Sequence, residues 1–196
     1  MKDQSNSHTK IKVKLGDIAQ IVSGVYAKES PTGEIAYLQV KDLTMPSPET
    51  SVSHIEYTAK LNNYLLKKGD LLFAGKGSTY LCEIFDLNIK AVPSTTLYYI
   101  RPDTNIVSVE YLRWYLNHPS IVATIKTAQV GSGTPLIHKP TLEQLMIIVP
   151  DLETQRKIVK IAGLQKREKE IMESIAAKKM QITSQILFNE LKKQQI

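Results

Sequence analysis

The sequence predicts an α+β protein: a mixed α/β globule of short irregular strands, followed by one long C-terminal helix able to form a coiled coil. Three observations carry this. From Asp151 to Gln195 there is no proline and one glycine, Gly163, while Ile158, Ile161, Leu164, Ile171, Met172, Ile175, Ile182 and Ile186 recur mostly three, four or seven residues apart. That pattern is one apolar stripe along one helix. Before Pro150 the apolar residues come instead in short runs bounded by Gly, Pro and Asp, as strands and turns do. Charge divides at the same place, with ten Lys/Arg against five Asp/Glu in residues 152–196 and fifteen against fourteen before them.

Taken in order, residues 1–10 are polar and read as a disordered leader with no signal-peptide core. Ile11, Val13 and Leu15 alternate as a strand, and Asp17 is placed to cap a short helix, Ile18 to Val22, stopped by Ser23-Gly24. Ile35 to Val40 reads as a strand, Pro46 and Pro48 mark a loop, and Ile55 with Tyr57 suggests another strand. The turn Lys67-Lys68-Gly69-Asp70 delivers a strand, Leu71 to Ala74. A glycine-rich tip, Gly75 to Thr79, joins it as a hairpin to Tyr80 to Phe85. Thr95 to Ile100 is β-branched and aromatic, hence a strand. Ser108 opens a helix to Asn117, and Pro119, allowed in a first turn, opens another to Ala128. Gln129 to Lys139 is a glycine-bearing loop, Thr141 to Gln144 matches a capping box, and Met146 to Val149 is a strand. Pro150 then ends the globule, Asp151 caps the long helix, and the predicted division is 1–10, 11–150 and 151–196. Tyr98, Tyr99 and Trp114 read as core.

The helix admits two readings, a solvated rod laid across the globule or a rod paired with another helix through imperfect heptads. A stripe this long would expose more apolar area than monomers usually tolerate, which favours pairing into a homodimer through Ile158, Ile161, Leu164, Ile171, Ile175, Ile182 and Ile186.

A net charge of +6 favours a polyanionic partner, and because the globule is near neutral its nucleic-acid patch must be local. One cysteine, Cys82, provides neither disulfides nor a Cys-based metal site and suits a reducing cytoplasm. No apolar window suits a membrane span. Gly69 to Ser78 has the wrong spacing for a phosphate-binding loop, and no dinucleotide fingerprint follows a strand. The four histidines lack metal-ligand spacing. Glu190-Leu191-Lys192 is a poor nuclease centre without further carboxylates. No Pro-Pro pair exists to hold a flipped adenine. No catalytic residues and no metal ligands are therefore assigned. A stand-alone Mg-dependent nuclease and a coiled-coil adaptor unrelated to DNA stay open as alternatives.

Six segments in order, KLGDIAQIVSG (Lys14 to Gly24), YLQVKDL (Tyr37 to Leu43), LKKGDLLFA (Leu66 to Ala74), YLRWYL (Tyr111 to Leu116), GSGTP (Gly131 to Pro135) and IIVPDLETQRKIV (Ile147 to Val159), resemble the specificity subunit (HsdS) of type I restriction-modification systems. The resemblance covers residues 14 to about 190. It implies a target recognition domain that reads a DNA half-site, then a spacer helix. Family members usually hold two such units with antiparallel helices, and one unit here implies a half-length form acting as a homodimer on an interrupted palindrome. It also implies modification (methyltransferase) and restriction subunits as partners, which would hold S-adenosylmethionine, ATP and Mg, with none bound by this chain. On physical grounds the DNA contacts are expected from Lys41, from the hairpin tip Lys76, Ser78, Thr79 and Tyr80, and from the loop Gln129, Ser132, Thr134, His138 and Lys139. Lysines reach phosphates, glutamine pairs with adenine, and hydroxyls serve either.

Overall fold

A computed structural model describes residues 11–45, 52–76, 80–127 and 136–193. They fall into two compact units, one extending to Arg156 and one beginning at Lys157. In order the elements are β1 (Ile11–Lys14), α1 (Leu15–Ile18), β2 (Ala19–Ser23), β3 (Ile35–Leu38), a 3-10 turn (Val40–Thr44), β4 (Ser53–Ile55) and a second 3-10 turn (Ala59–Tyr64). There follow β5 (Leu71–Ala74), β6 (Cys82–Ile84), β7 (Ala91–Pro93), β8 (Leu97–Pro102), α2 (Val109–Leu116), α3 (Pro119–Thr127), α4 (Lys139–Glu143), β9 (Met146–Val149) and α5 (Leu152–Lys193).

The first unit contains a four-stranded sheet in the order β2-β8-β5-β6, a three-stranded sheet in the order β4-β3-β7, and a ribbon of β1 with β9. Strand β3 shows why the two larger sheets share an interior. Side chains alternate across a strand, and here Ala36 and Leu38 join a core with Leu72, Ala74, Leu97 and Tyr99, whereas Ile35 and Tyr37 join another with Ile55, Leu61 and Val92. Both faces are apolar, so both are buried. Strand β7 ends at Pro93 on the edge of its sheet, where the missing N–H costs no ladder bond.

Two buried polar side chains fix this core. Asp70 is 1% exposed, and it receives Arg101 Nε at 2.7 Å and Nη2 at 2.6 Å. The Lys67 amide also donates to it at 2.7 Å, which shapes the turn into β5. Gln155, in the first turn of α5, accepts from the Ser108 amide at 2.8 Å and donates to the carbonyls of Ile106 at 3.0 Å and Pro150 at 2.8 Å. One amide side chain thereby ties the strand-to-helix corner to the start of α2. From α2, Tyr111 Oη reaches the Ile148 carbonyl at 2.7 Å.

Several predicted elements hold, among them the Lys67 to Asp70 turn, the strand from Leu71, and the helices opened by Ser108 and Pro119. The Asp151 cap also holds, with the Thr154 amide donating to its carboxylate at 2.9 Å. Others need correction. The helix predicted over Ile18 to Val22 is a strand, β2, because Ile21 and Val22 pair with Ile100 and Tyr99 of β8 and tertiary pairing overrides the Asp17 cap signal. The helical turn lies earlier, at Leu15–Ile18, where Leu15 and Ile18 are buried. The strand predicted to Val40 stops at Leu38, because Asp42 accepts from the Gln39 amide at 2.7 Å and curls the chain into a 3-10 turn. The strand near Ile55 excludes Tyr57. Thr141 caps nothing: α4 begins at Lys139, with Pro140 in its first turn, and Gln144 ends it. The strand predicted from Thr95 starts at Leu97 because Ser94 to Leu97 is a tight turn, with the Leu97 amide on the Ser94 carbonyl at 2.9 Å.

In the second unit α5 runs on without a break, and all 42 residues of the helix span about 63 Å. Every residue from Gly163 to Lys192 is exposed. Ile161, Leu164, Ile171, Ile175, Ile182 and Ile186 fall on one face. Met180, Leu187 and Leu191 form a second strip about 140° around the helix at 3.6 residues per turn. The single predicted stripe is thus two strips in the last third of the helix. Among the described residues no helix is long and apolar enough to cross a membrane.

Candidate nucleic-acid interface

The turn Ser94 to Leu97 is the hub of one rim of the globule. Strands β2 and β5 both run antiparallel to β8, so both leave the sheet at the end where β8 begins. The Gly24 amide donates to the Leu97 carbonyl at 2.9 Å, the Val25 amide to Pro93 at 2.9 Å, and the Gly75 amide to Thr96 at 3.1 Å. On the other sheet, the Ser94 amide donates to the Leu38 carbonyl at 2.8 Å, so β3 also ends here. Two glycines make this convergence possible. A Cβ on Gly24 would overlap the Ser94 carbonyl, and one on Gly75 would overlap the Tyr98 ring.

The predicted DNA-contact residues that the structure describes distribute around this hub. Lys76 is exposed and forms a bridge with Leu136, and the Ile137 amide donates to the Gly75 carbonyl at 3.0 Å. Tyr98 Oη completes the joint on the Ile137 carbonyl at 2.9 Å. The hairpin and the Gln129 to Lys139 loop, distant in sequence, are therefore stitched together at their bases. His138 is exposed just before α4, and Lys139 opens α4 with its ammonium 3.4 Å from Glu143. Lys41 is exposed on the 3-10 turn, three residues beyond Leu38 and so within about 10 Å of its hub contact along the chain. Ser78, Thr79, Gln129, Ser132 and Thr134 lie outside the described residues.

Tyr80 is half-buried, and Lys126 Nζ stands 5.8 Å from its ring centroid. Its hydroxyl is buried with no hydrogen-bond partner among the described residues, and burial pushes its pKa up, which keeps it neutral. The Tyr80 ring thus supports a cation. Lys126, exposed in the last turn of α3, is the residue that sequence reasoning missed. Its position in that turn, where a cation is favoured, was the available signal. Lys76, Lys126 and Lys139 bring three cations to this edge, the last of them paired with Glu143, and lysines are the side chains that suit phosphates. Tyr98 and Tyr99 are buried as expected of core, and Trp114 is half-buried.

The chemistry elsewhere is sparse. Cys82 is fully buried, and desolvation drives its thiol well above the usual range, which leaves it unreactive. Among the described residues no three His, Cys, Asp or Glu side chains converge to hold a metal ion. Of the predicted helix-pairing residues, Ile158 is half-buried and Ile161, Leu164, Ile171, Ile175, Ile182 and Ile186 are exposed.

A family model described as a type I restriction modification DNA specificity domain matches residues 8–186. No curated protein matches the sequence. Among solved structures, the S subunit of a type I restriction-modification system from M. genitalium is similar at a TM-score of 0.57 and 13% identity, over 88% of this chain and 43% of that one. The HsdS subunit from Thermoanaerobacter tengcongensis aligns at 0.63 and 17% identity, over 85% and 40%. A chain from a structure describing complex assembly and conformational transition of the type I R-M system aligns at 0.61 and 19%, over 85% and 41%. At these identities the likeness establishes the fold, and this chain spans about two-fifths of the length of each.

Proposed function

Because this chain belongs to the type I restriction-modification DNA specificity family, we propose that its globule reads a short DNA half-site through the rim around Ser94 to Leu97. We further propose that α5 pairs with the same helix of a second copy. The observation that carries the DNA reading is the joining of the Lys76 hairpin to the His138 and Lys139 loop, beside Lys126, on one edge of an otherwise near-neutral globule. The exposed face from Ile161 to Ile186 supports the pairing, since an apolar band of that length exceeds the few hundred Å² usual on monomers.

On this reading the chain is a non-catalytic scaffold. Modification subunits carry the methyl transfer with S-adenosylmethionine, restriction subunits use ATP and Mg, and both assemble on the specificity dimer. Two identical readers related by a two-fold axis meet inverted copies of one half-site, so the target is an interrupted palindrome. The paired helices set the gap.

Seven residues inserted after Ile175, in register with the heptads, lengthen the helix by about 10 Å, equivalent to about three base pairs. The chain is reconstituted with a modification subunit and S-adenosylmethionine, and methylated adenines are mapped across a genome. Unchanged half-sites with a longer gap are expected. Non-identical half-sites, or a gap indifferent to the insertion, would refute the two-fold ruler. Cleavage by the lone chain would favour the nuclease alternative, and the absence of salt-sensitive DNA binding would favour the adaptor.

A further inference from the structure

The hub carries one more segment, which the predicted contacts do not include. Beyond Gly24 the chain from Val25 to Pro31 is pinned along its length. Tyr37 Oη donates to the Val25 carbonyl at 2.9 Å, Gln39 Nε2 to Glu29 Oε1 at 2.8 Å, and the Ser30 amide to the His54 carbonyl at 2.8 Å. On this fixed backbone Tyr26 is 87% exposed. An aromatic ring held out by an ordered backbone loses little further entropy when it binds.

Tyr26 lines an open cleft of about 830 Å³ together with Lys28, Ser30, Glu56, Lys60 and Tyr64. Inside it Glu56 accepts from Ser30 Oγ at 2.6 Å and Thr32 Oγ1 at 3.1 Å. Those two hydroxyls hold its carboxyl below the usual range, so at neutral pH it is charged and can only accept. Glu29, whose Oε1 accepts from Gln39, is a second carboxylate on the same walls, and exposed Lys28 and Lys60 balance the two. An acceptor flanked by two lysines matches a base edge that presents an amino group between phosphates.

We propose that Val25 to Pro31 and the cleft behind it form a second DNA-contacting wall: Tyr26 packs on a base edge or sugar, Glu56 accepts from the exocyclic amino group of a cytosine or adenine, and Lys28 and Lys60 touch phosphates. The inference rests on the DNA reading proposed above. It adds to the Lys76 edge a wall that starts from the same turn, two strands away across β8, about 10 Å at the usual strand spacing.

The test uses the full chain reconstituted with a modification subunit, presented with a randomised duplex library whose bound fraction is sequenced. Tyr26→Ala should weaken binding about tenfold, the scale of one good base contact. Glu56→Gln should retain affinity within a few-fold and change the preference at one cytosine or adenine, because an amide can also donate. Replacing Lys28 and Lys60 together with Ala should reduce the slope of log affinity against log salt by about two. All these side chains are exposed, and matching circular dichroism melts verify that the variants fold. If the wild-type complex selects a sequence and Lys76→Ala weakens it, while Tyr26→Ala and Glu56→Gln change neither affinity nor sequence, the second wall is wrong and the reading edge stands. A wild-type complex that selects nothing overturns both.

Discussion

The globule and the long helix treat polar and apolar groups in opposite ways. In the globule Asp70, 1% exposed, is enclosed by Arg101 and the Lys67 amide, and Gln155 satisfies three backbone groups from a fully buried position. Along α5 from Gly163 the isoleucines stand in solvent, and the ion pairs Lys166 with Glu170 and Lys169 with Glu173 lie on the surface at 3.9 Å and 3.8 Å. The stability of the first region is therefore a property of one folded chain. That of the second depends on what covers it, because an isolated helix gains little from propensity and exposed pairs. Mutations should separate the two regions by size of effect.

The largest effect belongs to the buried ion pair. Asp70→Ala leaves the half-buried Arg101 guanidinium and the Lys67 amide without their buried acceptor and should cost about 3 kcal/mol, read as a fall in the urea midpoint of the globule. A loss below about 1 kcal/mol would erase the contrast between the regions. Next comes the α2 contact with β9. Burial pushes Tyr111 up to about 12 from an ordinary value near 10, so its neutral form is favoured in the folded chain. That contribution is complete below pH 10, is lost as pH rises towards 12, and amounts to about 3 kcal/mol. Urea titrations between pH 9 and pH 12 (about two units above the free tyrosine value at most) should show wild type losing more stability than Tyr111→Phe. Parallel curves would count against this assignment. The smallest effect lies on the helix, where Glu170→Ala should change stability by less than about 0.5 kcal/mol. A larger loss would mean that the surface pairs of α5 do more than their exposure allows.

The sequence resolved the helix because an apolar period, an Asp151 cap and the absence of proline all point one way over many residues. It also resolved the Lys67 to Asp70 turn and the helix capped by Ser108, where side-chain chemistry acts within three residues. Its failures lie where distant pairing decides. β2 read as a helix because Asp17 looked like a cap, yet strand β8 claims Ile21 and Val22. β7 escaped notice because its three residues have no alternation, and its pairing with β3 is invisible locally. Within the candidate site, Lys76, His138 and Lys139 were legible as polar turn residues. The hub that gathers them was not, since Ser94 to Leu97 is defined by amides arriving from Gly24 and Gly75. Lys126 and Tyr26 were overlooked for the same reason, one standing over Tyr80 and the other held out by bonds to partners far along the chain.

The ribbon of β1 with β9 has an evolutionary consequence. Ile11 pairs with Val149, so these two points of the chain lie about 5 Å apart. A segment whose two ends meet in one strand pair can be excised and replaced by another with the same pairing without displacing what flanks it. Recombination at Ile11 and Val149 would then exchange every loop on the Ser94 rim at once. The first turn of α5 would still begin three residues beyond the same strand, provided that the incoming segment keeps an acceptor and a donor for Gln155.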